Sequence, residues 1–429
     1  MAKELIVGLD IGTTKVCAIV GQRNENGKIN ILGVGSQPSM GGVMRGEVTN
    51  VARTVEAIKG AIANASRVSN VEIANVLVGI AGEHIRSFQQ SGVRIRQNAE
   101  SEINKAELQE MNKEQFRTAI DPGSKILHAF PQEYIIDSKQ VTMAPEGMMG
   151  SKLECKYHVI TGRMNAAKTI VKCVEDAGLS AADIVVEPIA SAFAVLTEEE
   201  LQTGIAIVDI GGGTTDLAIF YGGKIRHTAV IPFGGEIITQ DIVEAFSILP
   251  KQAELIKVKY GHALPEGTRS NVIITVPGIG DRKPKQILEK NLAYVINARM
   301  KEILGLVNDE IKISGYKDKL NLGVVLTGGG AQLKDISNLA EFVLSCEAKI
   351  GMPDPHLGSG LVDEVKSPMF ATCIGLVLKG CSDLDPLPAE NQLKPNPKEQ
   401  SNGGNIFKNL FVNFKVWMKD DKAMGDYER

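Results

Sequence analysis

A chain of 429 residues is too long for one compact core and calls for two lobes, or two to three domains. Its composition, 43% apolar and 23% charged, is that of a globular protein, and a formal net charge of −4 speaks against non-specific nucleic-acid binding, which draws on a basic excess. Six cysteines with no C-x-x-C pair and no histidine cluster exclude a zinc site, and the opening apolar stretch at 5–9 is too short for a secretion signal or a membrane span, so a reducing cytosol is the expected compartment.

In chain order, residues 1–83 read as the first part of a lobe: strands over 4–10, 15–21 and 28–35, a helix over 50–68 and a buried strand over Asn75–Ile80. Asn50 is the N-cap of that helix, and Val51, Val55, Ile58 and Ile62 recur at helical spacing. Residues 84–162 are more polar and form an inserted subdomain, with strands at 92–96, 126–136 and 153–160 and a helix at 101–116. The first lobe returns at 163–203 with a helix over 165–178, a strand over 183–187 and a helix over 188–196 opened by Pro188.

The second lobe, 204–381, restarts the pattern with strands over 204–209, Thr215–Tyr221 and Lys224–Ile231, then helices over Gly235–Phe246 and 251–260. A subsidiary region around 250–320 adds a strand at 271–276 and a long helix at 285–313. A strand at 322–327 runs into Gly328-Gly329-Gly330, and a helix at 368–380 closes the folded body.

Residues 382–404 hold four prolines and many polar side chains, the make-up of a flexible linker. Residues 405–421 turn apolar again. At helical spacing Ile406, Phe407, Leu410, Phe411, Phe414, Trp417 and Met418 share an arc of about 140°, with Lys408, Lys415 and Lys419 beyond one edge. A helix folded back on the body is the plainer alternative, but a tether with a reach of roughly 27 Å suits a core element poorly. The pattern points to an amphipathic helix lying on anionic lipid.

The strongest signal is a repeated loop. Asp10-Ile11-Gly12-Thr13-Thr14-Lys15 ends one apolar strand, and Asp209-Ile210-Gly211-Gly212-Gly213-Thr214-Thr215-Asp216 ends another. Each falls between the first two strands of a three-strand meander. Glycines let a turn approach a polyanion with its N–H groups, and an aspartate at each strand end suits magnesium, which keeps most of its waters. The third cluster, Gly328 to Gly330, brings backbone close to a nucleotide's sugar. Neither a P-loop nor a dinucleotide fingerprint is present.

These segments, at 9–16, 183–196, 207–220, 324–336 and 369–380, resemble the actin, DnaK and sugar-kinase superfamily in its order. The resemblance implies an α/β, actin-like two-lobed fold with duplicated meander-plus-helix lobes, binding ATP with magnesium. By that resemblance Asp10 and Asp209 organise the metal, and Lys15 meets the β- and γ-phosphates. Gly12, Thr13, Thr14, Gly211, Gly212, Gly213, Thr214 and Thr215 wrap the phosphates. Gly235, Gly328, Gly329 and Gly330 complete the nucleotide site, Glu254 and Lys257 contact ribose and adenine, and Glu187 orients the attacking water.

Only residues 36–49 lie where actin and DnaK insert a subdomain, and the extra unit lies at 84–162 instead. That relocation, with "ILHAFPQEYII" at 126–136, "HVITG" at 158–162, "RHTAVIPFGGEIITQDI" from Arg226 and "AELIKVKYG" from Ala253, resembles the FtsA family of bacterial cell-division proteins. The family resemblance implies a peripheral protein on the cytoplasmic face of the inner membrane at midcell. Its implied partners are the C-terminal tail of the tubulin-like FtsZ, taken near 285–313, further copies of itself in filaments, anionic lipids and other division proteins, with weak ATPase turnover at most. The alternatives are a small-molecule kinase, which needs a large first-lobe acceptor insertion, and an actin-like pilus-assembly ATPase, which needs no amphipathic tail. A chaperone is disfavoured because no peptide-binding β-domain follows the second lobe.

Overall fold

The computed structural model describes residues 5–383 apart from 270, 279 and 281. The first lobe begins with β1 (Leu5–Ile11), β2 (Lys15–Arg23), β3 (Ile29–Pro38), a two-residue pair β4 (Val43–Met44) and β5 (Glu47–Val48), α1 (Val51–Ser69) and β6 (Asn75–Ile80). The Asn50 side chain accepts the Arg53 N–H at 3.1 Å and starts α1; Asn70, at a left-handed φ of 54°, stops it. The inserted unit follows as β7 (Arg86–Ile95), α2 (Lys105–Gln115), β8 (Ser124–Ile136), β9 (Gln140–Thr142) and β10 (Lys152–Arg163). α3 (Met164–Asp176), β11 (Ser180–Val186), α4 (Glu187–Val195) and α5 (Glu198–Thr203) complete the lobe.

The second lobe runs through β12 (Ile205–Ile210), β13 (Thr215–Tyr221), β14 (Lys224–Ile231), α6 (Gly235–Phe246), α7 (Pro250–Tyr260), β15 (Ile273–Val276), β16 (Lys285–Leu288) and α8 (Glu289–Ile313). It ends with β17 (Val324–Thr327), α9 (Ile336–Leu344) and β18 (Ala348–Ile350). The chain then crosses back: β19 (Leu357–Gly360) joins the first sheet beside β3, and α10 (Val362–Val365) and α11 (Ala371–Asp383) follow.

Sheet order makes the duplication explicit. The first sheet reads β11-β6-β1-β2-β3-β19 and the second β14-β13-β12-β17-β18. In both, an antiparallel meander is extended in parallel from its first strand, β1 to β6 and β12 to β17. The central strands are continuous apolar runs because helices cover the sheets.

The connecting helices α4 and α11 pack against each other. At the crossing, a Cβ added to Gly375 would overlap the Ala190 carbonyl, so only glycine lets the backbones meet. Gly375→Val is expected to destabilise the protein by about 2–4 kcal/mol, read as a lower denaturant midpoint, because the overlap is with backbone.

The inserted unit has its own core around Met111, Ile126, Tyr134, Leu153, Tyr157 and Val159. It also rests on β14, the edge strand of the second lobe. Gln89 Nε2 donates to the Arg226 carbonyl at 3.1 Å and Ser87 Oγ to the Thr228 carbonyl at 2.7 Å. His158 Nε2 lies 3.2 Å from Thr228 Oγ1; burial lowers the ring's pKa to about 3, so it bonds as a neutral imidazole. Lys224 Nζ and Arg226 return bonds to Gln132 at 2.6 and 3.0 Å.

Five expectations change. The second lobe, expected to run over 204–381, gives up its last part: β19 pairs with β3, and Leu357, Val365 and the apolar face of α11 join the first lobe's core. Residues 285–288 are a strand rather than the first turn of the long helix, because they pair with β15 from Val276↔Lys285 to Ile273↔Leu288, and α8 starts at Glu289. The strand expected at 92–96 is ten residues long, pairing along β10 although its first half is polar. Glu187 opens α4 instead of ending β11. α11 continues to Asp383, so residues 382 and 383 end a helix rather than begin the linker. The rest of that linker and the amphipathic helix at 405–421, with Ile406, Phe407, Leu410, Phe411, Phe414, Trp417, Met418, Lys408, Lys415 and Lys419, lie outside the described residues.

Candidate functional site

Each glycine loop closes in the same way. Between β1 and β2 the Gly12 N–H donates to the Lys15 carbonyl at 3.0 Å, and between β12 and β13 the Gly211 N–H donates to the Thr214 carbonyl at 2.9 Å. The loops face each other: a Cβ on Gly212 would stand 2.7 Å from Thr14 Cγ2, and one on Gly213 would stand 2.9 Å from the Arg45 nitrogen. Side chains in the second loop would therefore fill the space against the first. Ser39 Oγ fixes the first loop through the Gly12 carbonyl at 2.6 Å, and Thr13 Oγ1 accepts the Gly46 N–H at 3.4 Å. Thr14 is exposed.

The second loop is tied from behind. Its Gly211 and Gly212 carbonyls accept the first N–H groups of α6, from Gly235 at 2.9 Å and Glu236 at 2.7 Å. Gly235 is buried and braces the loop. Two hydroxyls expected to face phosphate are already engaged: Thr214 Oγ1 donates to Asp216 Oδ2 at 2.9 Å, and Thr215 Oγ1 to the Phe233 carbonyl at 2.8 Å.

Four acids collect between the loops. Burial pushes the Asp10 pKa up to about 6, with Lys15 opposing and Asp209 adding to the rise. Burial also raises Asp209, whose Oδ2 accepts from Ser191 Oγ of α4 at 2.6 Å and Thr372 Oγ1 of α11 at 3.2 Å. Asp216 is pushed up to about 8 by burial and by the charges of Asp209 and Asp10. Its Oδ1 is buried with no hydrogen-bond partner. Glu187 is held well above the carboxylate range by loss of water, then by Asp10, Asp216 and Asp209.

Asp216 stands opposite Asp209 in the β12–β13 register. It is a cleft acid that the sequence reading left out of its site, although its place in the repeated motif was a usable signal. Ser191 and Thr372 gave no local signal. Lys15 enters the same cleft, where its Nζ donates to the Met369 carbonyl at 3.1 Å and sits 3.9 Å from the Phe370 ring centre.

This donor set fits a magnesium ion. Acids that raise one another's pKa are relieved by a cation, and the unpartnered Asp216 oxygen is an open acceptor. Among the described residues no three His, Cys, Asp or Glu converge as direct metal ligands.

The other end of the cleft is built by α7 and the third glycine cluster. Lys257 Nζ binds Glu254 Oε2 at 2.7 Å, the Gly235 carbonyl at 2.7 Å and Thr239 Oγ1 at 2.8 Å, and Thr239 also bonds Glu254. Gly328, at φ 81°, lies against Asp209 Oδ1 and 2.6 Å, measured from an added Cβ, from the Ile210 carbonyl. Gly330 packs on Ile210, whereas a Cβ on Gly329 would meet open space. The candidates from Asp10 to Gly330 thus occupy one contiguous region.

Residues 206–375 match the family model of Cell division protein FtsA, 82–161 match the SHS2 domain inserted in FTSA, and 125–275 match the Type IV pilus assembly protein PilM. The Cell division protein FtsA of Pseudomonas aeruginosa is 41% identical, covering 88% of this chain and 89% of its own length. That of Neisseria meningitidis serogroup B is 40% identical, covering 96% and 97%. Among solved structures, the PilM-PilN type IV pilus biogenesis complex is similar with a TM-score of 0.63 at 18% identity, over 87% of this chain and 98% of that one. MreB5 of Spiroplasma citri bound to ADP is similar with a TM-score of 0.51 at 17% identity, over 87% and 94%.

Proposed function

Since this chain belongs to the FtsA family of cell-division proteins, we propose that it binds ATP with magnesium, polymerises and tethers FtsZ to the cytoplasmic face of the cell membrane at the division site. The observation that carries the nucleotide reading is the pair of facing glycine loops closed over three buried aspartates, Asp10, Asp209 and Asp216, with Glu187 beside them. Asp10 and Asp209, with Asp216 beside them, hold the hydrated metal, while Lys15 and the loop N–H groups hold the phosphates. Bound magnesium would neutralise phosphate charge and the crowded carboxylates together. Glu254 and Lys257 flank the nucleoside, and Glu187 orients water. Burial, and then the charges of Asp10, Asp216 and Asp209, raise the pKa of Glu187, and bound magnesium would offset the charge part of that rise.

Two surfaces support the assembly reading. On the inserted unit the cross-strand row Val93, Glu154, Ile135, Val141 leaves Val93 and Val141 exposed, as is Ile95, and such a face suits contact with another copy. In the subsidiary region the paired Ile273 and Leu288 are exposed together with Tyr294, apolar anchors for an FtsZ tail. The apolar arc and flanking lysines of the segment at 405–421 support it as the proposed membrane contact, with the other division proteins as further partners.

The PilM match extends the fold comparison at 18% identity, whereas relatives at 40% and 41% favour cell division over pilus assembly or small-molecule phosphorylation. A fluorescent FtsZ C-terminal peptide is expected to bind the full chain saturably in the micromolar range, and Leu288→Glu with Tyr294→Ala is expected to weaken it about tenfold or more. No saturable binding to the unaltered chain removes the tethering reading.

A further inference from the structure

Where α7 ends, the chain turns at Gly261 and presents His262 to the stretch that follows the third glycine cluster. The backbones meet there: the Ala263 N–H donates to the Lys334 carbonyl at 2.8 Å, and His262 and Lys334 form a parallel bridge. The ring doubles the contact. Its Nδ1 lies 3.0 Å from Asp335 Oδ2, and its Nε2 lies 3.4 Å from Lys334 Nζ and 3.8 Å from Glu289 Oε1 at the start of α8. His262 and Glu289 are both buried. Asn297 of α8 adds a bond to the Ala263 carbonyl at 2.6 Å.

Asp335 has a left-handed φ of 61°, a region that aspartate and asparagine enter more readily than other non-glycine residues. The absence of a side chain on Gly267 makes room for its carboxylate, which a Cβ there would overlap. Three chain segments thus converge on one imidazole: the end of α7, the start of α8 and the lead into α9.

Resting on the nucleotide reading above, we infer that His262 is a positioning residue that sets the width of the slot for the nucleotide's base. One wall of that slot is α7, with Glu254 and Lys257; the other is the run from Gly328 to Lys334. His262 is the buried side chain that ties the end of the first wall to the end of the second, and it need not touch the ligand. Without it the walls lose the hydrogen-bonded side chain that links their ends, and selection of adenine over another purine weakens while the phosphate loops stay intact.

The test uses the full chain with magnesium and compares ATP with GTP by equilibrium binding, with melting temperature measured alongside. His262→Ala is expected to lower ATP affinity about tenfold with little change for GTP, so that the preference collapses. His262→Asn, whose amide stands near the position of Nδ1, is expected to restore much of it. Asp335→Asn keeps a residue type that tolerates the left-handed backbone and is expected to show the same loss of preference, to a smaller degree, in a folded protein. If His262→Ala and Asp335→Asn lose ATP and GTP equally, or keep the original preference, the inference is overturned and the cluster is only structural. If the unaltered chain binds neither nucleotide, the reading of the cleft fails and the inference with it.

Discussion

Gly212→Asp is expected to lower the affinity for ATP–magnesium by about a hundredfold or more, roughly 3 kcal/mol. A Cβ at this position stands 2.7 Å from Thr14 Cγ2 and 3.0 Å from Thr14 Oγ1, so the exposed Thr14 side chain must turn aside to admit any side chain. The added carboxylate then joins a cleft in which Asp10, Glu187, Asp209 and Asp216 are already raised above the ordinary carboxylate range. The added carboxylate repels phosphate directly, and this term separates aspartate from alanine at the same site. Titration with a fluorescent ATP analogue, with Gly212→Ala as the steric control, measures both. Equal affinity in the aspartate variant and the unaltered chain would remove these loops from the nucleotide site.

Changing Phe411 and Trp417 together to glutamate is expected to abolish co-sedimentation with anionic liposomes. Each replacement forfeits about 1.5–3 kcal/mol of apolar burial and adds a carboxylate near hydrocarbon and anionic headgroups. The joint loss, about 4 kcal/mol or more, exceeds what one short helix has to spare, since its three lysines add only about 1 kcal/mol each. ATP binding and FtsZ-peptide binding are expected to persist. Lipid binding unchanged, with the melting temperature lowered by several degrees, would instead identify a helix docked on the body and end the tether mechanism.

The cleft was legible in the amino-acid order because its signals are local. A run of apolar residues, an aspartate and a glycine-threonine turn recur within a few positions at 10–15 and 209–216, and the β12 and β1 hairpins bear them as read. The groups that complete the site were not legible, because folding alone brings them there. Ser191 and Thr372 are ordinary hydroxyls on two helices until both reach Asp209. The same reason hides β19, which joins β3 from the far end of the chain, and β16, whose four residues continue a helical pattern until β15 pairs with them. β7 escaped notice along its first half because an edge strand can be polar and still be held by β10.

The contact between the inserted unit and β14 also bears on how copies of this chain can associate. An edge strand ordinarily turns every second carbonyl outward, a template on which a foreign strand can add without limit. Here two such carbonyls, Arg226 and Thr228, are taken by Gln89 and Ser87, side chains with the same two-residue spacing. The border of the second sheet is sealed by side chains rather than by another strand. Growth of that sheet from molecule to molecule, the route to irreversible fibres, is closed on this side. Association through this part of the molecule is left to side-chain surfaces, which can separate again.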